Sequence, residues 1–88
     1  MQGTRVELVA QPGGFRSLKP GEYGKWIDGT WYGETPNGHG CNLGSHHVVE
    51  HEDGTISVSP SIEVKGSIGG KPVTLWHGFL EQGFWREC

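Results

Sequence analysis

The sequence predicts an all-β fold: a small antiparallel sheet folded as a sandwich or partly open barrel, with short hairpins and little or no helix. Three observations lead there. Sixteen of the 88 residues are glycine and five are proline, so only short stretches run without a breaker. Several apolar runs alternate with polar residues at period two, as half-buried strands do. Turn signals recur at close spacing, including Asp-Gly-Thr at Asp28 and again at Asp53, and divide the chain into roughly six or seven strands.

Thr4 to Ala10 sets Val6, Leu8 and Ala10 against polar neighbours and reads as the first strand. Residues 11–24, broken by Pro12-Gly13-Gly14 and Pro20-Gly21, read as a loop or linker-like segment within a single domain spanning 1–88. Lys25 to Glu34 places Trp26, Ile27, Trp31 and Tyr32 around Asp28-Gly29, a hairpin signal, and Thr35-Pro36-Asn37-Gly38 is a further turn.

His46 to Ser59 holds two readings. His47-Val48-Val49-Glu50-His51 spells H-x-x-E-H, which binds metal only on a helix, where residues four apart share a face. The β-branched Val48-Val49 spacer favours strand, and Gly44 and Gly54 leave too little room for a helix. Glu52-Asp53-Gly54-Thr55 is a hairpin turn, and Ile56-Ser57-Val58-Ser59 alternates beyond it. We therefore read a hairpin. A two-residue Asp53-Gly54 turn would set Val49 opposite Val58. A type I turn with a bulge would slip the register by one and bring Val48 and Glu50 to the apolar face. The sequence leaves that choice open, and with it which histidines are buried.

Ser61 to Lys65 extends the second arm, with Ile62 and Val64 keeping the period, and Gly66 to Pro72 reads as a turn. Val73 to Leu80 is a strong strand interrupted only by Gly78. Both of its faces carry large apolar groups, which suits a central strand or one at an interface, including that of a homodimer. Glu81-Gln82-Gly83 turns the chain into a last short strand at Phe84-Trp85.

Composition narrows the function classes. Hydrophobic residues make up 33%, and four Trp, three Phe and two Tyr supply the core that aliphatics cannot fill. Net charge is −3, with no basic run, which argues against nucleic acid as a partner. No segment suits a membrane span, and the first ten residues lack the apolar core of a secretory signal, so the cytoplasm is the expected compartment. There Cys41 and Cys88 are expected to be reduced.

Some residues also look familiar as a set: Trp31-Tyr32 before a turn, Ser59-Pro60-Ser61-Ile62, then His77-Gly78-Phe79 with Gly83 and a Cys near the end. This pattern resembles a group of small bacteriophage and prophage proteins of unknown function. In that group an aromatic pair precedes a C-P-x-C-like knuckle, an S-P-S-I or S-P-S-L motif follows, and C-H-x-F-x-x-x-G closes the chain. The likeness departs at Glu34 to Cys41, where the knuckle belongs, and at Trp76, which stands where the group has a Cys. His77 and Cys88 match in kind, and Cys41 is a displaced equivalent. The resemblance implies a phage origin, hence host cytoplasm, more than any activity.

Three functional readings follow. A zinc-stabilised domain would use His39, Cys41, His77 and Cys88, paired across two turns, but their spacing matches no strong zinc motif. The expected cofactor is therefore none, with zinc as the alternative. An enzyme using Cys41 or a histidine is the remote alternative, because no G-x-S-x-G elbow, P-loop or dinucleotide fingerprint is present. The third reading, which we favour, is a non-catalytic binding or structural module acting through protein–protein contacts or self-association. Its candidate surface is Trp26, Trp31, Tyr32, Trp76 and Trp85, and the competing assignment for those rings is the core.

Overall fold

A computed structural model describes residues 1–88 and consists of strands and turns with no helix. Ten strands form: β1 Thr4–Arg5, β2 Ala10–Gln11, β3 Gly14–Phe15, β4 Glu22–Lys25, β5 Trp31–Glu34, β6 Gly40–Asn42, β7 His47–Glu50, β8 Ile56–Ile68, β9 Lys71–Glu81 and β10 Phe84–Glu87. They make two four-stranded sheets, β1-β4-β5-β6 and β10-β9-β8-β7, and a small β2-β3 ribbon. The fold is all-β, as the glycine punctuation and period-two runs predict. One pairing is not antiparallel: β1 runs parallel to β4, with Thr4 opposite Glu22 and Arg5 opposite Tyr23.

Three hairpins reuse one turn. His51 N–H donates to Thr55 O at 2.8 Å, Gly54 N–H donates to His51 O at 3.0 Å, and Thr55 N–H donates to the Asp53 carboxylate at 3.0 Å. Trp26 to Thr30 repeats that pattern, with Asp28 in the acceptor role, and Thr35 to His39 repeats its two backbone bonds. This is a type I turn followed by a left-handed glycine, which explains why Asp-Gly or Asn-Gly recurs in the sequence. It also decides the open register: Val48 faces Val58 and Glu50 faces Ile56. Val48 therefore packs toward the core, while His47 is exposed. The three remaining hairpins use two-residue turns: Gly69-Gly70 and Gln82-Gly83 with both central residues at positive φ, and Pro12-Gly13, between β2 and β3, with Gly13 alone there.

The structure departs from the expected boundaries in three places. The first strand shrinks to Thr4–Arg5, because the chain leaves the sheet edge to bury Leu8 against Gly24. The segment 11–24, expected as a loop, contains all of the β2–β3 ribbon except Ala10, and the start of β4. Gly66 to Pro72 is mostly strand, so β8 and β9 form one long hairpin whose turn is Gly69-Gly70 alone.

The core lies between the two large sheets and consists of Tyr23, Trp31, Leu43, Ile56, Val58, Ile62, Trp76, Leu80 and Trp85. Strand alternation puts Trp76, Gly78 and Leu80 of β9 inward and leaves Val73, Leu75, His77 and Phe79 half-buried on the outer face. Each buried indole removes on the order of 200 Å² from water, a gross gain of about 5 kcal/mol before entropy is counted. Trp85 stands edge-on to Trp76, centroids 5.6 Å apart, and its Nε1–H donates to Gly21 O at 3.0 Å. Two glycines make space for these rings. A Cβ at Gly33 would lie 3.2 Å from Trp85, and one at Gly78 would lie 2.5 Å from Trp76.

The N-terminal segment joins the sheets at one side. Trp85 N–H donates to Met1 O, Gly3 N–H to Gly83 O, Thr4 N–H to Gly21 O and Val6 N–H to Tyr23 O. Met1 to Gly3 thus borders β10, and Thr4 to Val6 borders β4.

Candidate functional site

Tyr32 projects from β5 on the face opposite Trp31 and Gly33, because neighbours on a strand alternate. The β2–β3 ribbon folds over that outer face and carries Phe15 onto it. The Phe15 ring sits 5.0 Å from Trp26 and 5.1 Å from Tyr32, tilted to each by 51° and 55°. All three rings are half-buried. Beside them runs an open groove of about 350 Å3, lined by Phe15, Leu18, Tyr32, Glu34, Cys41 and Asn42. Gly33 and Gly40 also line it, and exposed Gly40, with nothing within 4 Å of its Cβ position, leaves the backbone approachable. Asn42 Oδ1 accepts from Gly44 N–H at 2.7 Å, while its amide Nδ2 makes no bond within the chain. The groove therefore offers apolar walls, one carboxylate and one free amide donor, a lining suited to capturing an apolar segment and orienting it with a few polar contacts.

Only part of the expected aromatic surface is available. Trp26 and Tyr32 remain at the surface, but Trp31, Trp76 and Trp85 are 7%, 3% and 1% exposed and belong to the core. Trp31 also lies under two cations, with the Arg5 guanidinium 5.0 Å and Lys25 Nζ 5.9 Å from its ring. The correction follows from the shortage of aliphatics: the space between the sheets must be filled, and indoles fill it.

The proposed zinc ligands are not gathered. His39 ends the β5–β6 turn and Cys41 faces the core from β6, both on the first sheet. His77 lies on the outer face of β9, with exposed Cys88 bonded to its backbone through Cys88 N–H to His77 O at 3.0 Å. No three His, Cys, Asp or Glu side chains are placed to share an ion. Glu50 likewise faces Arg5, not a histidine pair, with Arg5 Nη1 donating to Glu50 at 2.7 Å. That hydrogen bond holds the Glu50 carboxyl below its ordinary value.

Nucleophile chemistry finds little support in the geometry. Cys41 Sγ donates to Gly33 O at 3.4 Å and has no histidine partner, and burial pushes its thiol up to about 11. Ser61 Oγ and His77 Nε2 are 2.9 Å apart, but no carboxylate orients the His77 ring. The nearest cross-strand acid, Glu63, is bonded by Thr74 Oγ1 at 3.1 Å and lies 3.6 Å from Lys65. His46 approaches Ser61 O at 3.2 Å through Nε2, and its buried Nδ1 has no partner.

Phe15, Leu18, Glu34 and Asn42 are site residues that sequence reasoning missed. Phe15 and Leu18 sit in the segment read as a loop, where two-residue strands are too short to show alternation. Pro12-Gly13 before Gly14-Phe15 is a turn signal that marks the ribbon. No protein-family model matches the chain, and neither curated proteins nor solved structures give a match.

Proposed function

We propose that this chain is a non-catalytic binding module that recognises a protein segment through the Phe15–Trp26–Tyr32 surface and the adjoining groove. One observation carries the reading: three aromatic rings from separate elements meet on an outer face while the other tryptophans fill the core. Aromatic side chains are enriched at the centres of protein interfaces because they bury large areas at low entropic cost. The partner presents an apolar or aromatic side chain to the groove, with backbone groups that meet Glu34 and Asn42. The half-buried Cys41, whose thiol has no histidine partner, and the unoriented Ser61–His77 pair favour binding over catalysis. A phage origin is supported by the Ser59-to-Ile62 and His77-to-Gly83 motifs alone.

The test is selection from a random peptide library on the wild-type chain, followed by NMR mapping of an enriched peptide. The expected result is shifts at the Trp26 indole, Tyr32 and Asn42, and binding weakened about ten-fold or more in folded Tyr32→Ala and Trp26→Ala. Enriched peptides that map elsewhere, or bind both variants as well as wild type, would overturn the proposal.

A further inference from the structure

The β8–β9 hairpin is longer than the strands beside it. β7 pairs with β8 only from Ile56 to Ser59, and β10 pairs with β9 only from Gly78 to Glu81. Beyond those points β8 has a neighbour on one side alone. From Ile62 to Ile68 its backbone bonds go to β9 and nowhere else, so one row of amides and carbonyls faces outward. Such an edge is a template for another strand unless charge or shape blocks it.

From the open edge we propose that a second copy of this chain docks there, antiparallel, about a two-fold axis at Val64. The sequence Ile62-Glu63-Val64-Lys65-Gly66 is self-complementary in that register. Glu63 of each copy lies opposite Lys65 of the other, and Val64 lies opposite itself. A shift of the axis by one residue sets Glu63 against Glu63 or Lys65 against Lys65, so charge selects the register. Both side chains are accessible to a partner: Lys65 is 70% and Glu63 40% exposed, their contact within one chain is a loose 3.6 Å, and the hydrogen bond that Glu63 accepts from Thr74 Oγ1 at 3.1 Å leaves its other carboxylate oxygen to meet a second lysine. A lone edge lysine repels most incoming strands, whereas a neighbouring glutamate at the mirrored position welcomes this one.

The ends of the pairing are also defined. Pro60 has no N–H to give, and the Ser61 carbonyl is engaged by His46 Nε2 at 3.2 Å. Pairing is confined to Ile62 through Gly66, and the result is one sheet continuous across both copies. This interface is separate from the aromatic groove, which lies on the other sheet, so either assignment stands without the other.

Sedimentation velocity of the full chain, in a concentration series reaching about 1 mM, reads the dimer directly. Glu63→Lys and Lys65→Glu, both at exposed positions, are each expected to weaken self-association about ten-fold or more, since each sets like charges opposite at two places. The double variant E63K/K65E restores it. An equimolar mixture of the two single variants forms a heterodimer, because the lysines of one copy then meet the glutamates of the other at both places. A wild type that stays monomeric throughout, or a dimer indifferent to these charges, overturns the proposal.

Discussion

Gly78→Ala is the sharpest test of the core. Gly78 lies on the inner face of β9, paired with Ile62 on one side and Glu87 on the other. A methyl group there would sit 2.5 Å from Trp76 Cη2 and 2.9 Å from the Glu87 Cα, and closer still to the Arg86 carbonyl. Two of these three obstacles are backbone, so no rotamer change relieves them. β10 must move away, which strains its ladder and the Trp85 hydrogen bond to Gly21. Overpacking typically costs 1–3 kcal/mol, and a rigid backbone obstacle belongs at or above the top of that range, about 3–4 kcal/mol. The reduced freedom of the unfolded chain returns about 0.5–1 kcal/mol. The net is a loss of about 2–3 kcal/mol, or about 10–20 °C in Tm for a domain of this size. Urea and thermal unfolding, followed by tryptophan fluorescence, measure it. Gly40→Ala is the control, because nothing lies within 4 Å of its Cβ position; its Tm should stay level or rise slightly. A Gly78→Ala protein as stable as wild type would refute the packing of β10 against Trp76.

Four further outcomes are expected. Trp85→Phe removes the donor to Gly21 O and part of the ring over Gly33, and should lower urea stability by about 2–3 kcal/mol with a folded spectrum retained. In the native protein, exposed Cys88 should react quickly with a thiol reagent and Cys41 slowly. Because the Cys41 thiol is raised from 9.0 to about 11, its contribution is whole below pH 9 and is lost as pH climbs toward 11; the difference in stability between wild type and Cys41→Ala should shrink over that window by up to about 2 kcal/mol. Glu50 and Asp53 are held below their ordinary values, by Arg5 and Thr55 respectively, so their contribution is present above the unfolded values and lost as pH falls through the folded ones. Melting curves of wild type and Arg5→Ala should therefore differ more at pH 7 than at pH 2, and equal differences would count against the Arg5–Glu50 pair.

Much of the fold was legible because turns are local. Asp28-Gly29, Asn37-Gly38 and Asp53-Gly54 each encode their own backbone geometry within five residues, and all three hairpins formed where they stand. The long hairpin was legible in its strands but not its length: Gly66 reads as a breaker, yet it is strand because Leu75 packs over the space its missing side chain leaves. The candidate site was legible only at Trp26 and Tyr32. Phe15 comes from a two-residue strand with no periodicity to detect, and its meeting with the other rings spans distant parts of the chain.

By itself, then, the sequence determined the all-β class, the turn positions and the absence of a long helix, since glycine, proline and period-two alternation act over a few neighbouring bonds. Tertiary structure decided which tryptophans are core, which thiol is half-buried and which exposed, and that no three histidines or cysteines gather. It also decided that β1 runs parallel to β4 and that the edge of β8 lies open. Those outcomes depend on what lies across the gap between two sheets, and residues adjacent in space there are remote along the chain.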